Sequence, residues 1–170
     1  MTEQTILRFP DNRLRAKADR VVVFDEDLGS LASDLLDTLR SASAIGITGT
    51  HIGVLKRLAV IELEAEDGVR TYVNPRIVWA SADKIRHEEG SVSMPGVVEE
   101  IERHAQVRVS YQDLSGVEKV EEADGLLSVC LQHEVDQLDG IFWIYRLSRL
   151  KRDRVVKRFD KTQRAQASGD

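Results

Sequence analysis

The chain has 170 residues, of which 42% are hydrophobic and 31% charged, with a formal net charge of -5 and a single cysteine, Cys130. That length fits one domain with its own core, expected over residues 1–165, with residues 166–170 as a frayed tail. The acidic balance argues against whole-surface binding of nucleic acid, and one cysteine excludes an internal disulfide framework. With neither an apolar leader nor an apolar run of membrane-spanning length, the expectation is a cytoplasmic protein without a membrane partner.

Taken in chain order, the first helix is expected from Glu26 to Arg40, where Leu28, Leu31, Leu35 and Leu39 recur at helical spacing behind a potential Asp25 cap. A loop, AIGITGTHIGV, follows, with Gly46, Gly49 and Gly53 supplying unusual backbone freedom. Strand-like runs come next: Arg57 to Leu63, Arg70 to Val73, and Arg76 to Ala80 beyond a break at Asn74-Pro75. Gln106 to Gln112 alternates Val107, Val109 and Tyr111, and a strand near Val117 to Glu121 can pair with it across Asp113 to Gly116. From Ala123 to Leu138 apolar residues appear on nearly every side, which predicts a buried helix ending at Gly140. Leu147 to about Ala165 reads as a charged helix. Strands first and a buried helix late predict an α+β fold.

The buried helix carries His133-Glu134-Val135-Asp136-Gln137. A zinc-binding His-Glu-x-x-His helix needs imidazoles at i and i+4, because that spacing puts both on one face. Here the second imidazole is a glutamine.

Three stretches in order, AIGITGTHIGV, EEGSVSMPG and LQHEVDQLDG, resemble the three motifs of peptide deformylases. ILRFPDNRLRAKADRV, YVNP, GLLSVCLQHE and LDGIF fit the same family, so the resemblance spans nearly the whole chain. It implies small antiparallel sheets around a central buried helix carrying HEVDQ, plus a C-terminal helix. It also implies a hydrolase that removes the formyl group from the N-terminal formylmethionine of new proteins. In the family one cysteine and two histidines hold a divalent metal, leaving a fourth position for water, as expected of a catalytic site. A glutamate handles the water's proton, and a glutamine with a backbone N–H stabilises the oxyanion.

Carried over position by position, the resemblance puts the metal ligands at Ser91, His133 and Gln137, so only His133 keeps the family residue. Glu134 takes the acid/base position, His51 the glutamine position, and Val92 the backbone N–H. Gly46 and Val92 take positions that pair with substrate, and Arg103 that of an arginine beside the peptide groove, with a plain strand-edge charge as its alternative. A hydroxyl and a neutral amide are weak ligands for zinc or iron. No metal cofactor is therefore expected; any ion would be one iron or zinc at His133.

Other arrangements of the same residues stay open. His51, His133 and Glu134 could rebuild a metal site, and Ser91 with a histidine and Glu134 could form a nucleophilic triad. The favoured expectation is a satisfied hydrogen-bond cluster of Ser91, His51, His133 and Gln137, with Gln137 bridging His133 and Ser91. Cys130 is expected in the core, and His87 and His104 at the surface. The function expected is that of a deformylase-like protein with a degenerate metal site and no ordinary deformylase activity. One alternative is a divergent deformylase. Another is a non-catalytic module that binds N-terminal peptides of nascent chains, or the ribosome through the basic C-terminal helix (Lys151, Arg152, Arg154, Lys157, Arg158, Lys161, Arg164).

Overall fold

The structure is a computed structural model and describes residues 2–169. In chain order its main elements are α1 (Glu26–Ser41), β1 (Gly46–Thr48), β2 (Leu58–Ile61), β3 (Arg70–Ala80), β4 (Lys84–Ser91), β5 (Met94–His104), β6 (Gln106–Gln112), β7 (Glu118–Asp124), α2 (Gly125–Leu138) and α3 (Arg149–Ala167). Five strands form an antiparallel sheet in the order β1-β2-β3-β6-β7, and β4 and β5 form a separate two-stranded ribbon. The architecture is α+β, as the order of elements predicts.

The sheet is covered on both faces, and β2 shows why. All four residues of Leu-Ala-Val-Ile are buried, and successive side chains point to opposite faces. Leu58 and Val60 pack with Leu28, Leu35 and Leu39 of α1, and with Ile47 and Val73. Ala59 and Ile61 pack with Cys130, Leu131 and Leu138 of α2, and with Tyr72, Val107 and Val109. Asp25 caps α1 as expected, its side chain accepting the Leu28 N–H at 3.1 Å. In α2 every residue from Ser128 to Leu138 is buried except His133, which is half-buried, while Leu126 at its entrance is exposed.

Three expectations need correction. The break at Asn74-Pro75 is a β-bulge inside one continuous strand, β3, with a register shift between Val73 and Arg76. Asn74 holds φ 52°, a left-handed conformation that asparagine tolerates, and its amide bonds both the N–H and the carbonyl of Val21, at 2.8 Å each. The β4–β5 ribbon has no counterpart among the expected strands. Its sequence KIRHEEGS is largely charged because most of β4 faces solvent, with cross-strand pairs such as Arg86–Glu100, so no apolar alternation marks it. Its inward residues Met94, Val97 and Ile101 pack against Val155 and Phe159 of α3. Finally, α3 continues through Gln166 and Ala167 instead of fraying from residue 166; Asp170 lies outside the described residues.

Among the described residues no helix is long and apolar enough to cross a membrane.

Candidate active site

Four elements meet around a cavity of about 490 Å³. α2 contributes His133 and Glu134, β4 ends there with Ser91, the β4–β5 turn adds Val92, and edge strand β1 contributes Gly46. His51 comes from the short 3-10 turn Gly49–Ile52 that follows β1. The residues named from the three motifs therefore gather at one cavity, with two exceptions, Gln137 and Arg103.

Gln137 is buried with its Nε2 donating to the Leu14 carbonyl at 2.7 Å, which ties α2 to the N-terminal segment. Ser91 Oγ accepts the Ser93 N–H at 3.1 Å, closing the hairpin turn. His51 is held by Thr48, and His133 by Glu89. The expected mutual cluster of Ser91, His51, His133 and Gln137 is therefore corrected. Each side chain bonds instead to a different part of the fold: backbone groups partner His51, Ser91 and Gln137, and the Glu89 carboxylate partners His133.

Arg103 is 5% exposed and lies outside the cavity wall, so it is neither a groove-side contact nor a strand-edge charge. Its guanidinium grips Glu89 through two bonds of 2.8 Å and donates to Asp136 at 2.6 Å. Asp136 also takes two bonds from Arg146, at 2.9 and 2.7 Å. Glu89 completes the chain by contacting His133 Nδ1 at 2.8 Å. Burial works against a charged Glu89, yet the bonds from Arg103 and His133 win and hold its carboxyl at about 2. For His133 burial acts to lower the pKa, and the bond to Glu89, helped by the Glu134 charge, outweighs it and raises it.

The layer facing the cavity is different. His51 Nδ1 accepts the Thr48 backbone N–H at 3.0 Å. Burial, reinforced by nearby His133, lowers its pKa to about 3, so the ring is neutral and its hydrogen must sit on Nε2. That Nε2–H is buried without a partner among the described residues. Glu134 Oε2 is in the same condition, and burial pushes its carboxyl up to about 7. A buried donor and a buried acceptor, both lining one cavity, are costly unless something meets them there. Gly46 is required by close approach, since a Cβ at that position would collide with Glu134 Oε1.

Cys130 also lines the cavity and packs in the core, and burial raises its thiol to about 12. His87 is exposed, as expected; His104 is half-buried, its Nδ1 2.7 Å from the Ser81 carbonyl. Sequence reasoning did not single out Glu89, Asp136, Arg146 or Thr48. Glu89 and Asp136 stand inside the motif stretches, but their common partner Arg103 lies 14 and 33 residues away, a pairing no local pattern announces.

The donor set does not suit a soft or borderline divalent metal. At the three ligand positions stand a hydroxyl already accepting a bond, an amide already donating one, and one imidazole. Among the described residues no three of His, Cys, Asp and Glu are grouped to hold one ion, the His51–His133–Glu134 combination included. Ser91 Oγ bonds no histidine, so the nucleophilic triad is not assembled either.

Comparison with known proteins agrees with the motifs. A sequence profile described as polypeptide deformylase matches residues 3–153. A "peptide deformylase-like" protein of Brucella melitensis is 62% identical over 96% of this chain and 100% of its own length. Rhizobium meliloti has both a "peptide deformylase-like" protein, 58% identical over 98% of this chain and 97% of its own, and a "peptide deformylase", 39% identical over 99% and 98%. A crystal structure of a peptide deformylase from Legionella pneumophila superposes with a TM-score of 0.92 at 37% identity, covering 98% of each chain. On its motifs, its fold and these matches, the chain belongs to the polypeptide deformylase family.

Proposed function

We propose that this protein keeps the deformylase fold and pocket but not the family's metal chemistry, and that it lacks ordinary deformylase activity. The observation that carries this reading is the state of the ligand positions. Gln137 is turned away toward Leu14, Ser91 serves its own turn, and of the three ligand positions only His133 brings a ring nitrogen to the cavity. A single imidazole with weak oxygen donors supports only millimolar-class affinity, about 4 kcal/mol. Three-ligand catalytic zinc or iron sites are held far more tightly. The relatives fit this division: the more similar ones carry the "-like" name, and one organism has a protein of each kind.

The pocket is still equipped to bind. The unpaired Nε2–H of His51 can donate to an amide oxygen, and the free edge of β1 at Gly46 can pair with an extended peptide. Val92 lines the same cavity. Recognition of N-terminal peptides without turnover is therefore the second reading, favoured by that unmet donor.

The test is reconstruction. Ser91→Cys with Gln137→His should restore metal at about one equivalent per chain, measured by elemental analysis after anaerobic purification. Adding His51→Gln should bring hydrolysis of formylmethionyl peptides above a near-zero background, since an oxyanion donor is worth roughly 10²–10³ in rate. An unmodified protein that already contains stoichiometric metal and deformylates would overturn the proposal and leave a divergent deformylase. Saturable binding of formylmethionyl peptide by the unmodified protein, lost in His51→Phe, would establish the second reading.

A further inference from the structure

We propose that a second cavity, lined by the N-terminal segment and by strands β3 and β6 and independent of the first, is a binding site for a small phosphate monoester. It measures about 610 Å³ and shares no lining residue with the candidate active site. Its wall carries Lys17, Arg20, Arg57 and Arg76 against two carboxylates, Glu118 and Asp139. Four cations less two anions leave a local charge of +2, in a chain whose net charge is -5.

What separates this cluster from a solvated charged face is how its charges are held. Arg57 is fixed by two bonds to the Pro75 carbonyl, at 3.1 and 2.7 Å, and one of 2.7 Å to Asp139, which consumes that carboxylate. Lys17 and Arg76 make no hydrogen bond or ion pair among the described residues, and Arg20 reaches only Gln112, at 3.5 Å. The Ser110 hydroxyl is likewise unbonded within the described residues, adding a neutral donor to the same wall. Three uncommitted cationic side chains and one hydroxyl thus line one cavity, with one uncommitted carboxylate, Glu118, among them. Such a set matches a dianionic phosphate head better than a single carboxylate.

The frame is rigid where the cations stand. The segment between Lys17 and Arg20 is pinned through the Ala18 N–H to Leu138, the Asp19 N–H to Leu55 and the Arg57 N–H to the Asp19 carbonyl, at 2.7–2.9 Å. The β3 bulge holds its end: Asn74 bonds Val21 and Gln112. Arg76 follows that bulge directly and faces Ser110 across the ladder. A bulge is a common device for re-aiming a side chain, and here it sets Arg76 beside the N-terminal segment. Glu118 on the wall and the acidic chain as a whole favour a compact ligand over an extended polyanion.

Titration calorimetry with inorganic phosphate and with adenosine monophosphate, in chloride buffer at low ionic strength, tests the site on the whole protein. Saturable binding of either ligand is expected. Arg76→Glu and Lys17→Glu should each weaken it at least about tenfold, the scale of a lost charge-assisted contact. Arg154→Glu, on the exposed face of α3, should change it less than about twofold. All three positions are exposed, and circular dichroism checks that the variants fold. Tighter binding of the monophosphate than of inorganic phosphate would show that the ester's organic part also contacts the wall; equal binding would assign recognition to the phosphate head. No saturable binding, or equal loss in all three variants, overturns the proposal. So does binding of a short RNA that neither small ligand displaces.

Discussion

Two layers of side chains surround the HEVDQ helix, and they are built on opposite principles. Starting from the cavity wall, His133, Glu89, Arg103, Asp136 and Arg146 form a continuous network in which every charge has a partner of opposite sign or a hydrogen bond. In the cavity wall, His51 Nε2 and Glu134 Oε2 are buried with nothing to bond. The first layer needs no ligand, because buried charges that neutralise one another are already compensated. The second is incomplete as it stands. The contrast shows that one fold can hold a fully compensated charge network beside site-facing polar groups that it leaves unmet.

The largest expected effect comes from breaking the complete layer. Arg103→Met should cost about 3–5 kcal/mol of stability in chemical denaturation, since it strips buried Glu89 of both guanidinium bonds, leaving it only His133, and leaves Asp136 to Arg146 alone. If the loss is under about 1 kcal/mol, the network is not a structural unit. Gln137 is satisfied separately, through Leu14. Gln137→Leu should cost about 1–3 kcal/mol, because it leaves the Leu14 carbonyl unmet. A neutral result would return Gln137 to the cavity layer.

The incomplete layer should respond differently. Glu134 has a folded pKa of about 7, above the usual carboxylate range, so its burial destabilises the fold increasingly as pH rises through that interval. Glu134→Gln should therefore raise the thermal midpoint at about pH 8 and leave it unchanged at about pH 3, below the ordinary carboxylate range, where the carboxyl is protonated in both states. A gain of the same size at both values would mean that the effect is packing and not charge. The smallest expected effect is from chelation. Treating the unmodified protein with a strong chelator should leave the thermal midpoint within error, and a clear drop would reveal an ion that supports the structure.

Much of this protein was legible in its sequence because the signals are local. The leucine spacing and Asp25 marked α1, the two-sided apolar pattern marked α2, and alternation marked β6. The three motif stretches named the cavity residues Gly46, His51, Ser91, Val92, His133 and Glu134, since each element places its own few side chains. The ribbon of β4 and β5 was not legible, because a solvated, charged hairpin carries no apolar rhythm.

Partner choice was decided only by tertiary structure. Nothing near Gln137 in the chain indicates that its amide turns to Leu14, 123 residues away, nor does anything near Arg103 indicate that it is buried between Glu89 and Asp136. A hydrogen bond depends on which groups lie within about 3 Å after packing. Sequence supplies the type of donor and acceptor at each site, and only the folded neighbourhood determines which of them meet.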